Sequence, residues 1–367
     1  MKKETKYFMI NYTNNDVNYI DDVCIYLEKE IEKVVNFFGL NEFGEKIVIN
    51  LYNNIETLRD IHNKLYKTNE RDGKVSEWIS GFFTRNVVHT LCIDEYRKTT
   101  NNEDTDIERL EKLILHESIH SIHSKVNKKF YLMAWLSEGL ANTLSHQYDD
   151  VEFKFDASLE QVQNGGCCYY NYNAMFMYVF NNYGRDYILK LINNDDFLIE
   201  QTPKLYEEVK KSYIKKYLNQ NIDNPRYLFH GSPNKLDKIV PKQSHDSNNN
   251  TNNIAKAIFL FPSFLKSTPY AFKETIKENS KNLKWNFDIP NNNTYPLMKM
   301  QNVNIDENII GYIYVFKKDD DMIKDEESYQ YKCYKELIPY DVIEIKYKDF
   351  SKYYEIEEQK EVKKYKK

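Results

Sequence analysis

Leu113-Ile-Leu-His116-Glu117-Ser-Ile-His120, followed downstream by Trp135-Leu-Ser-Glu138-Gly139-Leu-Ala141, is the stretch on which the reading of this chain turns. On a helix advancing by about 100° per residue, His116 and His120 share a face. Two imidazoles at that spacing can bind one zinc ion, and Glu117 beside them can reach a water on that ion. Structural zinc sites usually have four protein ligands, whereas catalytic ones keep a position open for water. Glu138 is the natural third ligand and leaves that position open. The pattern therefore points to hydrolytic zinc chemistry. Its surroundings are helical: Leu110, Leu113, Ile114, Ile119 and Ile122 form an apolar run, and Trp135 to Leu144 form a second run with Glu138 near its start.

A chain of 367 residues has room for two domains, and 41% hydrophobic residues with 15% aromatics supports sizeable cores. A net charge of -5 gives no electrostatic footprint for nucleic acid. The Lys-rich ends (Lys2, Lys3; Lys363, Lys364, Lys366, Lys367) read as solvated tails. Five cysteines, Cys24, Cys92, Cys167, Cys168 and Cys333, form no CxxC pair and no disulfide-like pattern, which fits a reducing compartment. The N-terminus lacks the apolar stretch of a signal peptide, and no run approaches the roughly 18 apolar residues that span a bilayer. The expectation is a soluble, cytoplasmic protein with no membrane partner.

Along the chain, residues 6–12 predict a strand, 16–38 a helix, 46–52 a β-branched strand and 54–65 a helix. Asn86-Val-Val-His-Thr-Leu-Cys-Ile93 predicts another strand, either an ordinary core strand or one that borders the cleft and pairs with extended substrate. The helix bearing His116 spans about 106–124. After the Glu138 helix come Gly165-Gly166-Cys-Cys-Tyr169-Tyr170-Asn-Tyr172, an apolar helix ending near Gly184, a helix over 186–192 and a polar helix over 205–218. The polar, proline-containing Asn219–Pro225 marks a boundary, giving domains over 1–222 and 223–367. The second domain predicts strands at 227–232, 257–261, 309–316 and 341–346, an asparagine-rich loop at 245–253, and a charged helix or tail from about Glu357. The fold class is α+β.

At the first site, Glu117 is placed to take the proton of the attacking water and pass it to the leaving amine. Metal-bound histidines usually donate their second N–H to an oxygen; Asn142 is a candidate for that role, or a plain helix-surface residue. His123 shares the histidine face, but the rise of about 1.5 Å per residue carries it away from an ion held by the first pair. A tetrahedral intermediate needs a hydrogen-bond donor opposite the metal. Tyr170 is the first choice, with Tyr169 and Tyr172 next.

HESIH, then WLSEGLA, then YYNYNAMFMYVFNNYGRDYILKLI resemble the gluzincin zinc metallopeptidases, in particular the peptidase-MA-like group related to the M1 aminopeptidases. The resemblance covers roughly residues 5–195. It implies a gluzincin-type domain, with a small mixed sheet and helices carrying the ligands. It also implies zinc at His116, His120 and Glu138, Glu117 as general base, and a peptide or protein substrate. One residue fewer separates the second histidine from the glutamate than is usual in M1 enzymes. No signature for gripping a free N-terminus is present, so aminopeptidase activity does not follow.

In the second domain, Tyr227-Leu-Phe-His230-Gly231-Ser232 resembles the first motif of ADP-ribosyltransferase-like folds, where such a histidine contacts the ribose of NAD. Ala257–Ser263 with Tyr270-Ala271-Phe272 resembles their second strand and following helix, and Glu336 lies where a catalytic glutamate could fall. His230 is thus a candidate NAD contact; the plainer reading is a binding or lid domain without catalysis. Three functions stand against one another: a zinc peptidase with an accessory domain, an NAD-dependent transferase acting through His230, and a degenerate peptidase fold that only binds protein. The complete set of His116, Glu117, His120 and Glu138 favours the first.

Overall fold

The computed structural model describes residues 1–41, 44–66, 80–99, 107–244, 254–274, 306–325 and 330–351, with short strands at 287–288, 297–300 and 355–358. The asparagine-rich stretch 245–253 and the tail beyond 358 lie outside the described residues. The architecture is mixed α and β, in two compact units, Met1–Lys211 and Ser212–Lys367.

In the first unit a five-stranded sheet has the order β1-β2-β3-β5-β4. These strands are β1 (Lys2–Glu4), β2 (Phe8–Asn11), β3 (Ile47–Tyr52), β4 (Gly81–Thr84) and β5 (Val87–Leu91). β2, β3 and β5 run parallel, while β1 and β4 are antiparallel to their neighbours. In β3, Ile47, Ile49 and Leu51 are buried and the residues between them are not, the period-two pattern of a half-buried strand. Two helices return the chain between parallel strands, as such connections require: α1 (Ile20–Phe38) and α2 (Ile55–Tyr66). α1 buries Val23, Leu27, Ile31, Val34 and Phe38 at helical spacing and ends on Gly39 in the left-handed region. Ile25, which belongs to the same apolar run in sequence, points to solvent. β5 is an interior strand: β3 takes one side and β4 the other, so β5 has no edge to offer a substrate.

Among the described residues six further helices follow: α3 (Ile93–Thr99), α4 (Ile107–Val126), α5 (Ala134–Leu144), α6 (Leu159–Asn164), α7 (Tyr169–Asn193) and α8 (Asp195–Leu218). α4 packs on α1, α5, β4 and β5 and is buried nearly all round from Ile114 to His123, as expected of a helix through the middle of a domain. Each fully buried aliphatic there contributes about 1.5–3 kcal/mol. The two helices expected on either side of Gly184 are both present within α7, meeting at a break where Gly184 takes the non-helical φ 79°, ψ 178°. α8 starts well before the expected polar helix and continues through Pro203.

The second unit contains two small sheets, β14-β11-β6 and β12-β13-β8-β7. Their members are β6 (Tyr227–Ser232), β7 (Lys242–Gln243), β8 (Lys256–Leu260), β11 (Ile310–Lys317), β12 (Ile323–Lys324), β13 (Tyr331–Cys333) and β14 (Asp341–Lys346). A bridge between Phe229 and Phe261 links the two. A third group comprises β9 (Phe287–Asp288), β10 (Leu297–Met300) and β15 (Glu355–Glu358), so Glu357 begins no helix. Helices α9 (Phe264–Ala271) and α10 (Tyr347–Phe350) accompany the sheets. Leu228, Ile258, Leu260, Tyr314 and Phe316 centre the core. Among the described residues, no helix is long and apolar enough to cross a membrane.

Candidate metal centre

α4 carries His116 and His120 on one face, as their spacing requires, and α5 brings Glu138 to meet them. His116 Nε2 and His120 Nε2 are 3.1 Å apart, and Glu138 Oε2 is 3.4 Å from the first and 3.5 Å from the second. Ligands at zinc-ligand bond lengths on a tetrahedron stand roughly 3.3 Å from one another, so the three atoms fit one face of such a tetrahedron. Both histidines are buried, and Glu138 Oε2 is buried without a hydrogen-bond partner. An orphaned carboxylate oxygen beside two imidazole nitrogens is a costly arrangement that a bound cation relieves. His116, His120 and Glu138 therefore form a group that could hold a metal ion.

The electrostatics agree. Burial works against the charge of Glu138, yet the two imidazoles overcome it and hold its carboxyl well below the usual carboxylate range. For His120, burial opposes protonation, but Glu138 and then Glu117 raise its pKa. Glu117, on the same helix, has its pKa raised by burial, against the opposing pull of His116 and His120.

Several supporting contacts carry no sequence signature. Ser137 Oγ lies 3.4 Å from His120 Nδ1, whereas His116 Nδ1 has no hydrogen-bond partner. Ser121 Oγ donates to Arg85 O at 3.2 Å and reaches Asn86 Oδ1 at 3.1 Å, tying α4 to the β4–β5 turn one residue after His120. Gly139, next to Glu138, lets α5 press on α7: a Cβ there would stand 2.5 Å from Tyr172 O and 2.6 Å from Phe176 Cβ. Asn142 is fully buried rather than on a helix surface, and its Nδ2 donates to Tyr169 O at 3.3 Å. That bond ties the start of α7 to α5, while Asn142 Oδ1 is buried without a hydrogen-bond partner, so Asn142 accepts no hydrogen bond from His116 or His120.

The tyrosines separate by direction. Tyr170 Oη donates to Asp156 at 2.9 and 2.7 Å, so its hydroxyl is committed there. Tyr172 Oη accepts from Cys167 N at 3.4 Å. Tyr169 sets its ring 6.3 Å from that of His116, and burial, then Glu138 and Glu117, push its pKa up. The sequence reading missed Tyr131, in the loop between α4 and α5, whose ring lies 6.1 Å from His120. Burial, then Tyr66, Glu117 and Glu138, raise its pKa, so both phenols stay protonated as hydrogen-bond donors. His123 stands apart in a pocket with Phe38 and Phe130, neither ring nitrogen hydrogen-bonded, and burial lowers its pKa to about 3.

In the second unit, His230 Nδ1 donates to Phe259 O at 2.9 Å, and burial lowers its pKa. The Glu336 carboxylate pairs with Lys238 at 3.0 Å on the surface. The structure thus gives each of these residues a local partner. The chain matches no protein-family model and no curated protein.

Proposed function

We propose that this chain is a zinc-dependent peptidase of the gluzincin type, with His116, His120 and Glu138 holding the ion. The observation that carries this reading is the convergence of three Lewis-basic atoms on one point, one of them a buried carboxylate oxygen without a well-formed hydrogen bond. Softer metals favour thiolates, whereas a borderline ion such as zinc suits two imidazoles and a carboxylate. When bound, zinc supplies Lewis acidity toward a carbonyl oxygen and makes a water acidic enough to react near neutral pH. The residues of the chain do the rest. Glu117 accepts the proton of the attacking water, and its raised pKa suits it to hand that proton to the leaving amine. Tyr169 donates a hydrogen bond to the developing oxyanion from the His116 side. Ser137 orients His120.

The test combines metal analysis with turnover of an unbiased peptide library. The full chain is expected to bind about one zinc, which His120→Ala loses. Glu117→Gln should keep the metal and lose turnover by about 10²–10⁴-fold. Unchanged turnover in Glu117→Gln rejects the general-base role. Failure of wild-type protein to take up zinc rejects the metal centre itself.

A further inference from the structure

The two ligand histidines have unlike neighbours. His116 faces the ring of Tyr169, whereas His120 stands in an aromatic wall. Phe83 of β4 stacks on His120 at 5.4 Å and 20°, with Phe130 at 6.2 Å and Tyr131 at 6.1 Å. Phe83 and Phe130 are 5% and 9% exposed, so the surface this wall presents is Tyr131, which is 55% exposed. Tyr131 lies on Phe130 with centroids 3.7 Å apart and 6.1 Å from Phe83. Two buried rings therefore back it and limit its rotamers, while its outer face stays in water beside a ligand histidine. Little ordering entropy remains to be lost when a ligand covers that face.

We propose, on the metallopeptidase reading above, that Tyr131 forms the floor of a substrate subsite on the His120 side, selecting an aromatic or large aliphatic side chain. Apolar surface covered on both partners is the favourable term, and ring-on-ring packing adds to it for an aromatic residue. Among the groups that act most strongly on the Tyr131 hydroxyl are the carboxylates of Glu117 and Glu138, whose negative charge disfavours an acidic side chain there. A basic side chain would have to share Glu117 or Glu138 with the water and the metal. An apolar one covers Tyr131 without competing for either.

Amino-acid hydroxamates test this, because the hydroxamate anchors on the metal and the side chain alone varies. Zinc-loaded full-length protein is titrated calorimetrically with acetohydroxamate and with phenylalanine, leucine, alanine, lysine and glutamate hydroxamates. Phenylalanine and leucine hydroxamates should bind at least about tenfold tighter than alanine hydroxamate. That preference should disappear in Tyr131→Ala and persist in Tyr131→Phe, which keeps the ring. Equal affinities across the series, preference for lysine, or a preference unchanged in Tyr131→Ala overturns the subsite while leaving the metal centre standing. No binding by any hydroxamate, acetohydroxamate included, rejects an open position on the metal and, with it, both the peptidase reading and this subsite.

Discussion

In the second unit, Tyr213 and Tyr217 both donate to Asp341 Oδ2, the latter at 3.0 Å, and their hydroxyls lie 2.9 Å apart. In the first unit, His116, His120 and Glu138 meet at 3.1, 3.4 and 3.5 Å, and Glu138 Oε2 goes without a hydrogen bond. Each group has three members, all buried except the half-buried Glu138. One contains its own donors: two phenols, whose pKa values burial and then Asp341 raise, supply the hydrogens one carboxylate needs. The other gathers electron pairs with too few hydrogens between them. A closed group of the first kind is a structural tie. An open group of the second kind could be completed by a cation, and that difference separates candidate chemistry from packing more sharply than burial does.

The contrast can be broken most directly by removing the ion. With free zinc at about 1,000 times Kd, linkage contributes about 4 kcal/mol to the folded state. Chelation should lower the thermal midpoint of the wild-type protein and leave that of Glu138→Ala almost unmoved. A wild-type midpoint indifferent to chelation would put this group in the same class as the tyrosine–aspartate tie. His89 offers a third case, a buried imidazole with partners at 2.9 Å (Tyr52 Oη) and 3.4 Å (Thr84 Oγ1). Burial lowers its pKa from 6.5 to about 4, so the fold favours its neutral form. Its contribution is full above pH 6.5 and is lost as pH falls through about 4, at most about 3 kcal/mol. Urea midpoints at pH 7 and pH 4.5 should therefore fall less in His89→Phe than in wild type, and parallel falls would show that His89 does not drive this loss. The smallest effect belongs to the closed group. Asp341→Ala takes the shared acceptor from two buried hydroxyls, which keep the one hydrogen bond between them, and should cost about 2 kcal/mol whether or not zinc is present. Undiminished stability in that variant would remove the contrast from the other side.

Much of this was legible because regular spacing survives folding. The four-residue step from His116 to His120 gives a shared helical face, and the alternation in β3 gives a half-buried strand. Glu138 was legible as a residue type in a helical context. What escaped was whatever depends on direction rather than spacing. Tyr169 and Tyr170 are adjacent and alike in sequence, but on a helix they point about 100° apart, one toward His116 and the other to Asp156. Tyr131 was missed because it lies in a loop without periodicity. Strands as short as β7, β9 and β12 carry too few residues for any period to register. Ile25 fits the apolar run of α1 but falls on its outer side, a case where tally outvoted phase.

The close approach at Gly139 has a consequence for mutational tolerance. With Tyr172 O and Phe176 Cβ at the place a side chain would begin, every other residue type forces α5 away from α7. A saturation scan should therefore score position 139 nearly as intolerant as the ligand positions, although it holds no metal and moves no proton. Intolerance along Ser137-Glu138-Gly139 would then record two separate demands written into consecutive residues, one for an ion and one for the room that lets Glu138 reach it.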